Sequence, residues 1–243
     1  MAKALSIVNR QVATHPYRTR SAPGALESSL AVTPTNRQAV DSATSVDARL
    51  GLREADVEDE SKWLVLYTDG ACTFNGDPDA RAGVGVWFGE DDKRNICERC
   101  PGKQTNNRAE LVALIRALET ADDVVLPILL KTDSAYCVRC VREWSKEWAR
   151  NNWRKRDRTI VRNHRLIRYL LELLNFRHLL GQRVRLQWVK AHKGTAGNEA
   201  ADTLSRVGAL LEAKREPDWN WLRLELEKCW PDYYAQGGKD VSA

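Results

Sequence analysis

Residues 64–76 read LVLYTDGACTFNG, an apolar run that ends on Thr68-Asp69 and passes into small and polar residues. Residues 128–137, ILLKTDSAYC, repeat the pattern with Thr132-Asp133. Taken singly, each Asp reads as a turn residue, because Asp before Gly or Ser is common loop chemistry, and Gly70 reads as the turn by which the chain leaves its strand. Both runs have strand length, and two strands closed by the same dipeptide call for a shared explanation. If they are parallel neighbours, they deliver both carboxylates to the sheet edge where ligands collect. Without a cation, two such charges repel and one of them holds a proton.

Working outward, WLVLYTDG (63–70) predicts a first strand and RAGVGVWFG (81–89) a second, its glycines suggesting a close hairpin or a bulge. KRNICERC (93–100) predicts a short edge strand, and TNNRAELVALIRALETA (105–121) an amphipathic helix with an Asn/Thr start. VVLPILLKTD (124–133) is the next strand. SAYCVRCVREW (134–144) opens a helical stretch that resumes through TIVRNHRLIRYLLELLNF (159–176). RVRLQWVKAH (183–192) is the last strand and TAGNEAADTLSRVGALLEA (195–213) the last helix of the unit. Strands first, then strands alternating with helices, predict an α/β fold. Its mixed five-stranded sheet is an antiparallel meander extended by parallel strands and flanked by helices.

Of the 243 residues, 43% are apolar, enough for a core, and the formal net charge of +5 admits an anionic partner. The longest apolar run, VVLPILL (124–130), is too short to span a bilayer and contains Pro127, so no membrane span is expected. Six cysteines include two C-x-x-C pairs, Cys97/Cys100 and Cys137/Cys140. That spacing can mark zinc, but Cys137 and Cys140 lie on a helical stretch with no His nearby. The expectation is free thiols in a reducing compartment.

Residues 1–60 are rich in Ala, Ser, Thr and Arg, and Lys3, Arg10, Arg18 and Arg20 precede the first acidic residue, Glu27. This segment reads either as a mitochondrial leader or as a disordered tail. Residues 61–212 form the expected catalytic unit, and 213–243 a Trp-rich extension. In the extension, Trp219, Trp221, Leu222, Leu226 and Trp230 share one face of a short helix. Packing on the unit is expected of it, docking of a protein partner being the alternative.

Further carboxylates stand beside the two Thr-Asp pairs. Glu110 lies about 40° from Leu114 on a helical wheel and leans toward the buried stripe; a capping box with Asn107 is the plain alternative. Asp202 lies one turn after Asn198 on the same helical face, or is a solvated helix residue. His192, in the Gly-rich loop before that helix, is either a surface residue or a proton carrier. Between Arg139 and Arg168 the chain places eleven Lys/Arg against three Asp/Glu, a net +8 larger than that of the whole chain. Arg150, Arg154, Lys155, Arg156 and Arg158 are interleaved there with Trp144, Trp148 and Trp153. Cations mixed with aromatics suit a nucleic-acid backbone; a solvated basic face over packing tryptophans is the alternative.

In order, YTDGAC, GVGVWFG, QTNNRAELVAL, LLKTDSAYC and VKAHKGTAGNEAADTLSRVGA resemble type-1 ribonuclease H of the cellular, eukaryotic-like kind with a basic protrusion. The resemblance runs from about Trp63 to Ala209. It implies a ribonuclease H-like fold and an endonuclease that cuts the RNA strand of RNA/DNA hybrids, leaving 5′-phosphate and 3′-hydroxyl ends. It further implies that Asp69, Glu110, Asp133 and Asp202 hold two Mg²⁺ ions, with Mn²⁺ able to substitute, and that His192 is the catalytic-loop histidine. Tyr136 and Trp144 would line the DNA-strand channel. Lys103, Thr105 and Asn163 would seat a DNA phosphate, with Lys103 standing where the family often has Arg. Asn75, Asn106 and Asn107 would face the RNA strand near its 2′-hydroxyls. A monomer in the nucleus or the mitochondrion is expected. A separate hybrid-binding module is not expected, since residues 1–60 contain no Trp and a single Tyr, Tyr17. Two competing readings are a retroelement polymerase's ribonuclease domain and a non-cutting hybrid-binding module. Four clustered carboxylates argue against the latter, because they oppose a polyanion unless metal neutralises them.

Overall fold

The computed structural model describes residues 57, 59–122 and 125–235, with side chains described through Lys228. The leader-or-tail expectation, apart from its last few positions, and the side chain of Trp230 lie outside the described residues. After a short 3₁₀ turn, Glu60–Lys62, come strands β1 (Leu64–Thr73), β2 (Arg81–Trp87) and β3 (Ile96–Arg99). Helix α1 (Asn106–Thr120) leads to β4 (Ile128–Thr132) and α2 (Ala135–Arg139). A wide π turn, Cys140–Trp144, connects α2 to α3 (Ser145–Arg150). Then follow α4 (His164–Leu179), β5 (Val184–Trp188), α5 (Ala196–Gly208) and α6 (Trp219–Ala235).

The sheet runs β3-β2-β1-β4-β5. β1 to β3 form the antiparallel meander, and β4 and β5 add in parallel through helical crossovers. Burial explains the pattern. Every residue of β4 is buried, as suits a parallel strand covered on both faces. Helix α1 packs on β1 and β2 and against α4, while α5 covers β1, β2 and β3. Leu66, Val84, Val86, Leu111, Leu114 and Leu118 are among the fully sequestered core residues.

Two details differ from expectation. β1 does not end at Asp69: the strand continues to Thr73, with Asp69 opposite Gly85 of β2. What ends at Thr68 is the pairing with β4, whose final registered pair is Thr68 with Thr132. Gly70 is therefore no turn residue. A Cβ there would stand 2.3 Å from the Glu110 backbone nitrogen and 2.6 Å from the Ala109 carbonyl carbon. The absent side chain lets α1 settle onto β1. β2 is joined to β1 and β3 by antiparallel hairpins, but its glycines make no bulge, since both registers run unbroken. Cβ atoms at Gly83 and Gly85 would meet the Ser205 and Ala201 carbonyl oxygens at 2.0 and 2.1 Å, so β2 is a bare track for α5.

Gly85→Ala should cost roughly 1–3 kcal/mol of unfolding free energy or more, since the clash is with backbone that can only move as a helix. Gly89→Ala, whose Cβ meets nothing closer than 3.9 Å, should change it little. Urea unfolding of the two variants checks the contrast.

Candidate active site

The Thr-Asp repeat has a local cause. Thr68 Oγ1 donates to the Lys131 carbonyl at 3.4 Å, and Thr132 Oγ1 accepts from the Ser134 N–H at 3.2 Å. Each hydroxyl thus serves backbone where the β1–β4 ladder stops. Ser134 then caps α2, accepting from the Cys137 N–H at 3.3 Å. Because the threonines are in register, Asp69 and Asp133 leave the ladder side by side. Glu110 arrives from α1 where Gly70, lacking a side chain, lets the helix backbone come close to β1.

One ligand atom from each of Asp69, Glu110 and Asp133 falls within 4.8 Å of the others. Asp69 and Glu110 are 6% and 5% exposed, too little for water to screen them. Burial pushes Asp69 up to about 6 against the hydrogen bond from Ser205, and the charges of Asp133 and Asp202 push the same way. Burial first, then Asp69 and Asp133, push Glu110 well above the usual carboxylate range. Glu110 Oε2 is buried with no hydrogen-bond partner. Clustered carboxylate oxygens with one of them orphaned suit a hard divalent cation, which takes oxygen ligands and neutralises the set. Asp202 stands outside the trio. Its carboxylate pairs with Arg206 at 3.0 Å while its charge is still felt at Asp69. His192 is exposed, in the left-handed region (φ 51°), on the loop between β5 and α5.

Three supporting residues were not singled out for these contacts from the sequence. Ser205 Oγ donates to Asp69 Oδ2 at 2.6 Å, Asn198 Nδ2 to Asp133 Oδ2 at 3.0 Å, and Trp188 Nε1 to the Asp133 carbonyl at 2.9 Å. The helical spacing of Asn198, Asp202 and Ser205 puts them on one face of α5. Which strand residue each meets depends on how α5 lies along β2.

The capping box does not form. Thr105 is the N-cap residue of α1, Asn107 lies inside the helix, and Glu110 points into the cluster. Asn75 accepts from the Asn106 N–H at 3.3 Å and Asn106 Nδ2 reaches Glu110 Oε1 at 3.4 Å, so these two amides stand beside the carboxylates, and Asn107 is exposed next to them. Phe74, overlooked in the sequence, is 72% exposed beside Asn75 at φ 51°. Lys103 is exposed two residues before Thr105. On the far side, Tyr136 lies beside Asn163, and burial pushes its phenol above the ordinary tyrosine range.

Tyr136 also meets Trp144 edge-on at 6.1 Å, and Trp144, Trp148 and Trp153 follow one another at 5.5 and 6.4 Å. These rings are half-buried and pack on the core, whereas Arg150, Arg154, Lys155, Arg156 and Arg158 are exposed. The basic segment thus has packed rings beneath and solvated cations above, the arrangement its second reading expects. Among the described residues, neither C-x-x-C pair joins a metal-holding group. Cys72, Cys97, Cys100, Cys137 and Cys140 are free thiols, and burial pushes Cys100 and Cys140 up to about 12, away from thiolate reactivity.

A mixed sheet that brings carboxylates to the carboxyl edge of its parallel strands, with a basic, aromatic-backed ridge nearby, defines a class of metal-dependent nucleic-acid enzymes. The family model described as RNase H matches residues 61–210, and the chain belongs to the ribonuclease H family. Ribonuclease H1 of Rattus norvegicus is 38% identical over 149 residues, covering 60% of this chain and 50% of that protein. Ribonuclease H of Schizosaccharomyces pombe is 40% identical over 147 residues, covering 60% and 52%. Ribonuclease H of Ehrlichia ruminantium is 37% identical over 150 residues, covering 62% of this chain and 97% of that one. The chain thus spans about half the length of the rat and yeast relatives and nearly all of the bacterial one. A solved structure of LC9-RNase H1, a type 1 RNase H with the type 2 active-site motif, aligns at 26% identity and a TM-score of 0.44, covering 60% of this chain and 71% of that one.

Asp69→Asn should stabilise the protein in chelator by about 3 kcal/mol at pH 7.5, the ionisation penalty implied by the upward shift of Asp69. The penalty is present above about 6 and absent below 3.8, so the gain should fade as pH drops through that window. Thermal unfolding of both proteins at pH 7.5 and pH 3.5 reads the difference.

Proposed function

We propose that this chain is an endonuclease that hydrolyses the RNA strand of RNA/DNA hybrids, leaving 5′-phosphate and 3′-hydroxyl ends. The observation that carries the reading is the trio Asp69, Glu110 and Asp133 on a ribonuclease H chain, with buried Glu110 Oε2 lacking a partner. Asp69, Glu110 and Asp133, with Asp202 one step away, would hold two Mg²⁺ ions, Mn²⁺ substituting. When bound, such cations neutralise the cluster and supply Lewis acidity for an in-line phosphodiester displacement.

The chain's own groups have separable tasks. Ser205 and Asn198 donate hydrogen bonds to Asp69 and Asp133 respectively, which would preset the carboxylates before substrate arrives. His192, exposed on its loop, is free to carry a proton to or from the scissile region. Asn75, Asn106 and Asn107 supply amides for 2′-hydroxyls, the groups that separate RNA from DNA. Lys103, Thr105 and Asn163 would seat a phosphate of the DNA strand, and Tyr136 with Trp144 would flank it. The exposed cations from Arg150 to Arg158 would neutralise backbone charge. The Trp144–Trp148–Trp153 stack gives them a rigid base.

Asp133→Asn should abolish cutting of a labelled hybrid in Mg²⁺ while leaving hybrid affinity within about tenfold of wild type. Cutting of duplex RNA or duplex DNA, cutting of the hybrid in chelator, or turnover retained by the variant would contradict the proposal. Replacing Arg154, Lys155 and Arg156 together by Ala should weaken hybrid binding and lower the slope of log affinity against log salt by about two to three. Titrations from low to moderate salt measure that slope.

A further inference from the structure

The family match stops at residue 210, yet the chain that follows turns back to the loop in front of α1. Leaving α5, the backbone is held by Arg99, which donates to the Ala209 and Leu211 carbonyls at 3.1 and 3.3 Å. Lys214 pairs with buried Glu98 at 2.6 Å. Glu216 then takes Arg108 as an ion-pair partner and accepts from Trp219 Nε1 at 3.0 Å. Trp219 itself is buried against Tyr169 of α4, with the Arg116 guanidinium over its ring. The extension is therefore anchored on both sides of Glu216.

Arg108, in the first turn of α1, is only 7% exposed in its side chain. Its Nε donates to the Pro101 carbonyl at 2.9 Å while its other end meets Glu216. Gly102 lies under the same carboxylate: a Cβ there would stand 2.2 Å from Glu216 Oε2. Gln104 closes the loop from within, donating to the Cys100 and Gly102 carbonyls at 2.7 Å each. The segment so clasped, residues 101–107, carries Lys103, Thr105, Asn106 and Asn107.

We propose that Glu216, supplied by the extension, is a positioning residue for substrate: by holding Arg108 over Gly102 it fixes the shape in which the 101–107 loop meets a nucleic-acid phosphate. This rests on the functional reading above and adds to it a part lying outside the family domain. Removing the carboxylate strands a buried guanidinium, which must then seek water or another anion, and the loop loses its outer clasp. The chemistry at Asp69, Glu110 and Asp133 is not touched, because Glu216 contacts none of them.

The test uses the whole 243-residue chain with Glu216→Ala and, as a control in the same segment, Lys214→Ala, which breaks the tie to Glu98 but not the one to the loop. Steady-state cutting of a hybrid in Mg²⁺ and backbone hydrogen exchange of residues 102–107 are measured for both. Glu216→Ala should raise KM about fivefold or more with kcat within about twofold, and speed exchange in the loop. Lys214→Ala should do neither, even where its melting temperature falls as far. A folded Glu216→Ala protein with unchanged KM or unchanged loop exchange overturns the proposal, and so does an equal KM rise in Lys214→Ala. A second arm combines Glu216→Ala with Lys103→Ala: the two KM effects should be less than multiplicative if they act through one loop, and full multiplicativity counts against it. A wild-type chain that neither binds nor cuts the hybrid refutes the functional reading and the substrate half of this one, an outcome distinct from an active wild type with an indifferent Glu216 variant.

Discussion

Parallel pairing of β1 with β4, closing on Thr68 opposite Thr132, decides where every acidic group of the site can lie. A shift of that register by one residue would turn Asp69 or Asp133 to the opposite face of the sheet. Burial specifies it: β4 is covered on both faces, and Leu66, Ile128 and Leu130 are sequestered only in this alignment. The apolar core thereby compels like charges to meet. Their mutual repulsion and desolvation are costs that the surrounding packing offsets, which is the usual state of a site prepared for a cation.

Close approach of two helices completes the arrangement, and both approaches depend on missing side chains. Gly70 admits α1 with Glu110, while Gly83 and Gly85 admit α5 with Asn198 and Ser205. The glycines sacrifice strand stability, and what they allow is a hydrogen bond to each of Asp69 and Asp133 from a helix lying directly on the sheet. Stability and chemistry therefore pull against each other at the same few positions. Asp69 and Glu110 would be easier to bury as neutral residues, and the glycine track would be a stronger strand with branched ones.

Away from the carboxylates the molecule divides labour by depth. Rings from Tyr136 to Trp153 pack in sequence beneath the ridge, the π turn at Cys140–Trp144 lying between the first two. The cations above remain in water, where long-range attraction for a polyanion costs no desolvation until contact. On the other flank, the extension lays Trp219, Leu222 and Leu226 on the body of the domain and returns Glu216 to Arg108.

Strand and helix order, the mixed sheet and the meeting of Asp69, Glu110 and Asp133 were legible in the amino-acid sequence, because apolar periodicity and short motifs are local properties. So was the basic, Trp-rich segment, whose charge clusters over one stretch of chain. Local signals misled at two places. Gly70 read as a turn, and Asn107 with Glu110 as a capping box, since neither reading senses a helix arriving from elsewhere. Only tertiary structure decided that Asp69 sits within a continuing strand, that Ser205 and Asn198 steady the carboxylates, and that Asp202 rests on Arg206 outside the trio. Those facts depend on register and interhelical approach, which are set by contacts between residues far apart in the chain and have no imprint in the spacing of any one segment.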